Sequence, residues 1–92
     1  MNPETKIKNQ VIKWLKTQDL WFYKASDRFY SGIPDIVIVK NGALIFIELK
    51  SEHGRVSKIQ EYTINQLRKH GAFVFVCRSL REVINGIAIL ED

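Results

Sequence analysis

The sequence predicts an α/β fold: a mixed central sheet of about four strands flanked by helices, in the order α-β-β-β-α-β-α. Three observations carry this. Helical periodicity opens the chain, with Ile7, Val11, Trp14 and Leu15 on one face. Asn41-Gly42 stands between two apolar runs, "DIVIVK" and "ALIFIELK". That pair is a strong hairpin signal, because a type I′ turn needs positive φ at both of its central positions. A second helical segment then leads to a further apolar run, so a crossover follows the hairpin and makes the sheet mixed.

Each element has its own local reason. "MNPETKIKNQVIKWLKTQ" is the first helix, capped by Asn2, with Pro3 in the first helical position and Glu4 in the first turn. Its Lys6, Lys8, Lys13 and Lys16 read as a solvated face. "LWFYKA" is a first strand and "SDRFYSGIP" a polar and aromatic loop. The hairpin strands follow, then a loop, "SEHGRV". "SKIQEYTINQLRKHG" is a second helix, opened by Ser57 with Gln60 three residues on, a capping box, and ended by Gly71. "AFVFVC" is the fourth strand. "SLREVING" is a short last helix, with Ser79 and Glu82 as a second capping box and Gly86 as its stop. The tail "IAILED" fits a helix extension, a strand or a segment that packs against a partner.

The 92 residues suit a single domain, and 46% hydrophobic with 26% charged residues is the balance of a soluble globular protein. The net charge of +4 fits a polyanion partner or mere solubility. The single cysteine, Cys77, lies in an apolar run and reads as a small buried hydrophobe in a reducing interior. There is no His/Cys spacing for zinc. The polar amino terminus is unlike a signal peptide, and the apolar runs are strand-sized, so no membrane association is expected.

The chemistry lies in the hairpin. Alternation puts Ile45, Ile47 and Leu49 on one face of their strand, and Leu44, Phe46, Glu48 and Lys50 on the other. A two-residue turn pairs Lys40 with Ala43, and on that register Asp35 lies opposite Glu48. Facing carboxylates destabilise a hairpin, and each raises the other's pKa. A divalent cation removes both problems: Mg²⁺ takes hard oxygen ligands, often one or two carboxylates, water and substrate phosphate. Lys50 would then stand where it can orient a nucleophile or stabilise developing charge. The plainer alternative is a same-face ion pair of Glu48 and Lys50 on an exposed edge, with Asp35 merely following Pro34 out of a turn.

Pro34-Asp35 with Glu48-Leu49-Lys50 resembles the PD-(D/E)xK nuclease superfamily. Within it the chain is similar, over nearly its whole length, to a stand-alone VRR-Nuc domain, the virus-type replication-repair nuclease. The resemblance rests on Glu4, "SGIPDIVIV", "IFIELK", and Ser57 with Gln60. It implies a restriction-endonuclease-like core spanning residues 1–92 as one nuclease domain, and Mg²⁺- or Mn²⁺-dependent hydrolysis of phosphodiesters. By the family pattern Asp35, Glu48 and the backbone carbonyl of Leu49 would be metal ligands, Glu4 reaching the metal directly or through water. Lys50 would position or activate the attacking water, and Gln60 would support the site. Single-domain members resemble homodimeric Holliday-junction resolvases, whereas longer relatives act on flaps and crosslinks. The resemblance also implies a cytoplasmic setting in a prokaryotic or phage-infected cell.

Local readings stand beside these roles. The capping box alone accounts for Gln60, the helix dipole for Glu4, and a cap for Ser57. His53 reads as a solvated loop residue, and His70 as a helix-end cation. Lys24, Arg28, Arg55 and Lys58, in loops or at element ends, are the candidate phosphate contacts, which position DNA without reading its sequence. Phe29 and Tyr30 could stack on an unpaired base or pack the loop onto the domain. Trp14, Trp21, Phe22 and Ile87 to Leu90 could form a two-fold interface matching a two-fold junction, or complete the core.

Three function classes follow: a metal-dependent, structure-selective DNA endonuclease acting on branched DNA as a homodimer (junction, flap or fork); a non-catalytic nucleic-acid-binding module with a nuclease fold; or an acid-rich edge of a structural protein. The last explains neither the register nor the basic surplus.

Overall fold

A computed structural model describes residues 1–25 and 30–91, so Arg28 and Phe29 lie outside the described residues. Those residues form helices α1 (Pro3–Leu15), α2 (Lys58–Lys69) and α3 (Leu80–Ile89) and strands β1 (Trp21–Lys24), β2 (Ile36–Lys40), β3 (Ala43–Leu49) and β4 (Phe73–Cys77). The predicted element order holds. None of these helices is long and apolar enough to cross a membrane.

The strands lie in sequence order in one sheet, with β1–β2 and β2–β3 antiparallel and β3–β4 parallel. Asn41 and Gly42 both take positive φ, 49° and 81°, as a type I′ turn requires. The β2–β3 register runs from Lys40↔Ala43 to Ile36↔Ile47, as the turn dictates. One sheet face presents Ile36, Ile38, Ile45, Ile47 and Leu49 to Val11 and Leu15 of α1 and to Val83 and Ile87 of α3. Burying each such side chain contributes about 1.5–3 kcal/mol. On the other face Phe46 and Val74 pack with Ile64 of α2. Cys77 is buried in the first cluster, and burial pushes its thiol pKa up to about 12, so it behaves as a hydrophobe.

All three helix starts predicted from capping residues are present. Asn2 accepts from the Thr5 N–H, and Ser57 and Gln60 form a reciprocal box. At α3 only half of the predicted box forms: Ser79 accepts from the Glu82 N–H, but Glu82 reaches one residue further, to the N–H of Arg78. Gly86 is not a stop. It lies inside α3, where an added Cβ would stand 3.3 Å from the Phe75 ring, so the missing side chain lets α3 approach β4 closely. The tail continues the helix to Ile89; Ile87 is buried and Leu90 packs against the core. Trp14 and Phe22 also pack against that core, which leaves Trp21, Ala88 and Ile89 as the exposed members of the suggested interface.

Candidate functional site

Asp35 stands where the β2–β3 ladder ends. Hydrogen-bonded and open pairs alternate along an antiparallel ladder. Counting from Lys40–Ala43, the next bonded pair after Ile36–Ile47 would be Pro34 with Leu49. Instead the Leu49 N–H donates to the Asp35 carboxylate Oδ2 at 2.7 Å. The backbone of Asp35 is held from the other side, its carbonyl accepting from the Ala25 N–H at 2.8 Å. Asp35 is thus held from both sides, its carboxylate by β3 and its backbone by the residue after β1.

Glu48 points to the α2 face of β3, opposite Asp35, and is only 2% exposed. Burial, and then repulsion from Asp35, raise its pKa from an ordinary 4.5 to about 7, against the pull of Lys50. Two groups hold its Oε2: Lys50 Nζ at 3.4 Å and Gln60 Nε2 at 3.1 Å. The same Gln60 amide accepts from the Ser57 N–H through Oε1 at 2.9 Å. The cap and the contact with Glu48 are therefore both real, made by opposite ends of one side chain. Lys50 continues the parallel ladder, its N–H donating to the Cys77 carbonyl at 3.0 Å.

Glu4 comes to this place from α1. Ligand oxygens of Glu4, Asp35 and Glu48 all lie within 4.8 Å of one another. Three carboxylates this close, one of them buried, need positive charge among them, and an all-oxygen donor set suits a hard divalent cation. This cluster is a possible metal site.

The family model of the VRR-NUC domain matches residues 3–81. The chain belongs to the VRR-NUC family. A solved structure described as "VRR_NUC domain" superposes with a TM-score of 0.82, covering 96% of this chain and 97% of that one at 26% identity. Another, "VRR_NUC domain protein", has a TM-score of 0.80 over 92% and 84% of the two chains; at 22% identity it shows the shared fold. No curated protein matches the chain in sequence. The VRR-NUC match spans Glu4, Asp35, Glu48, Lys50 and Gln60 alike.

One residue of this VRR-NUC domain departs from expectation. Lys8 does not belong to a solvated face: its Nζ lies 3.7 Å from Asp35 Oδ1, and its side chain is one-quarter exposed. The signal was the i,i+4 spacing of Glu4 and Lys8, which puts both on one helix face. Arg78 was also missed. Its guanidinium donates to the carbonyls of Ser51 at 2.7 Å and Gly54 at 2.6 Å, pinning the turn that follows Lys50.

The candidate phosphate contacts are spread out and solvated. Lys24 ends β1, Arg55 lies in the loop before α2, and Lys58 opens α2; all three are exposed. His53 is exposed beside Glu52, and His70 caps α2 at its carboxyl end. Tyr30 is 52% exposed and lines a shallow pocket of about 230 Å³ with Ser31, Ile59, Tyr62 and Thr63.

Proposed function

We propose that this VRR-NUC domain is a metal-dependent, structure-selective DNA endonuclease that hydrolyses phosphodiester bonds, acting as a homodimer on branched DNA in the manner of a junction resolvase. The observation that carries the reading is the three-carboxylate cluster of Glu4, Asp35 and Glu48 with the Lys50 ammonium on its edge. A family of nuclease fold supports a nucleic-acid substrate.

Asp35, Glu48 and the Leu49 carbonyl would hold Mg²⁺ or Mn²⁺, with Glu4 completing the set directly or through water. Contacts with Gln60 and Lys50 both fall on Oε2 of Glu48, so Oε1 is the oxygen left to a cation. A bound divalent ion makes a water molecule a better nucleophile and offsets phosphate charge. Lys50 orients that water and stabilises the charge that builds on the phosphate oxygens. Gln60 fixes the Glu48 rotamer. In the reaction a water oxygen bonds to phosphorus, one ester P–O bond breaks, and the departing oxygen takes up a proton. Lys24, Arg28, Arg55 and Lys58 contact backbone phosphates, and the pocket beside Tyr30 receives an unpaired base at a branch.

The dimer would use an apolar row on the α2 face. Trp21, Val39 and Leu44 are cross-strand neighbours, each at least 40% exposed, and the Trp21 ring stacks on Tyr23 at 6.4 Å. Sedimentation would show a dimer at micromolar concentration; a monomer there would remove the resolvase reading.

The deciding experiment is a cleavage panel of four-way junction, flap, fork and linear duplex with Mg²⁺ or Mn²⁺, using wild type, Asp35→Ala and Lys50→Ala. The junction should be cut, and both variants should lose at least about a hundredfold in rate. Preferential cutting of flap or fork would reassign the substrate. Binding without any cutting would make the domain a non-catalytic module.

A further inference from the structure

Two ammonium groups face the three carboxylates, and they are placed differently. Lys50, the residue after β3, sits on Glu48 two positions away. Lys8 comes from α1 and sits on Asp35. The two oxygens of Asp35 are divided: Oδ2 accepts the Leu49 N–H, and Oδ1 faces Lys8. A cation gathered by Glu4, Asp35 and Glu48 would therefore meet the Lys8 ammonium at the one Asp35 oxygen that the backbone leaves open.

The geometry points to Lys8 as a positioning cation that holds Asp35 in the metal-free protein and turns to a phosphate oxygen of DNA once a divalent ion takes that carboxylate. This rests on the metal reading above. With all five groups ionised the cluster carries one net negative charge, so Lys8 and Lys50 together nearly neutralise it. A divalent ion makes the cluster positive, and like charge then drives the Lys8 ammonium away from Asp35. Its flexible four-carbon stem, rooted one turn from Glu4, lets the charge move without moving the helix. A DNA phosphate brought to the site would be an anion for it to meet. Lys8 thus opposes metal binding in the free protein and favours DNA in the loaded one, two effects of opposite sign that a solvated lysine would not produce.

The test uses Lys8→Met, which keeps the length of the side chain and removes the charge, with Lys8→Arg as the charge-retaining control. Mn²⁺ is titrated into DNA-free protein, and free Mn²⁺ is read by its electron paramagnetic resonance signal. Lys8→Met should bind Mn²⁺ about fivefold more tightly than wild type, and Lys8→Arg should stay near wild type. DNA affinity is then measured against salt. In Ca²⁺ the Lys8→Met slope should fall by about one; in EDTA it should match wild type. Unchanged or weaker Mn²⁺ binding by Lys8→Met would overturn the assignment, as would the same loss of slope with and without metal. Wild type that binds no Mn²⁺ at all would overturn the metal reading itself. A thermal melt of each variant without metal identifies any that fail to fold, and Lys8→Gln then replaces Lys8→Met.

Discussion

Gln60 holds Glu48 with one end of its amide and the start of α2 with the other: Nε2 lies 3.1 Å from Glu48 Oε2, and Oε1 2.9 Å from the Ser57 nitrogen. Helix cap and buried carboxylate are thereby joined through a single side chain. Two substitutions separate them. Ser57→Ala removes part of the cap and should cost about 1 kcal/mol in urea unfolding while leaving most cleavage activity. Gln60→Ala should cost a similar amount and also lower cleavage about tenfold or more, because Glu48 loses one of the two groups that hold its Oε2. Equal activity in the two variants would show that Gln60 serves the helix alone.

Glu48 gives the metal-free protein a pH dependence of definite sign. Its folded pKa, about 7, lies above the ordinary 4.5, so between those values the folded state binds more protons than the unfolded state. Stability therefore falls as pH rises through that window, by about 3 kcal/mol in all. Urea midpoints at pH 5 and pH 7.5 check it, and Glu48→Gln should remove most of the difference. Mg²⁺ should stabilise wild type more at pH 7.5 than at pH 5, because it binds the ionised carboxylate.

Asp35 has a structural duty as well as a charge, and Asn and Ala report on them separately. Asp35→Asn can still accept from the Leu49 N–H and relieves repulsion on Glu48, so without metal it should be at least as stable as wild type. Asp35→Ala leaves the part-buried Leu49 N–H without its acceptor and should be about 1–3 kcal/mol less stable than Asp35→Asn. Neither should show metal-dependent cleavage.

Gly32 sets the distance between the loop before Asp35 and α2. It has φ +83°, and a Cβ there would fall 2.7 Å from the Ile59 carbonyl oxygen. Gly32→Ala should cost about 2 kcal/mol or more, from both the backbone conformation and the clash. The displaced loop carries Pro34 and Asp35, so Mg²⁺ should also raise the melting temperature of the variant less than that of wild type.

The hairpin was legible because its information is local. Asn41-Gly42 fixes the turn, the turn fixes the register, and alternation then puts Asp35 beside Glu48 with Lys50 on the same side. Capping signals placed α1 and α2 for the same reason. Lys8 was hidden because its neighbour Asp35 is distant in sequence, and a row of lysines along a helix looks alike until the helix is docked. Arg78 reaches carbonyls 24 and 27 residues away, a contact without any local pattern. Gly86 misled because a glycine late in a helix usually ends it; here it is small so that Phe75 can fit beneath it. The candidate phosphate contacts stay at the level of exposed charges, since solvated lysines and arginines acquire a geometry only against a bound polyanion.

The carbonyl of Asp35 is bonded to Ala25, just past the end of β1, and among the described residues β1 is a four-residue strand at the edge of the sheet. Edge strands of this length fray by local opening long before a domain melts. Each such opening releases the backbone of Asp35 on one side, leaving its carboxylate held by the Leu49 N–H alone. If the domain cuts DNA as proposed, cleavage should therefore have its own thermal limit, set by the edge of the sheet and reached below the temperature at which the core gives way.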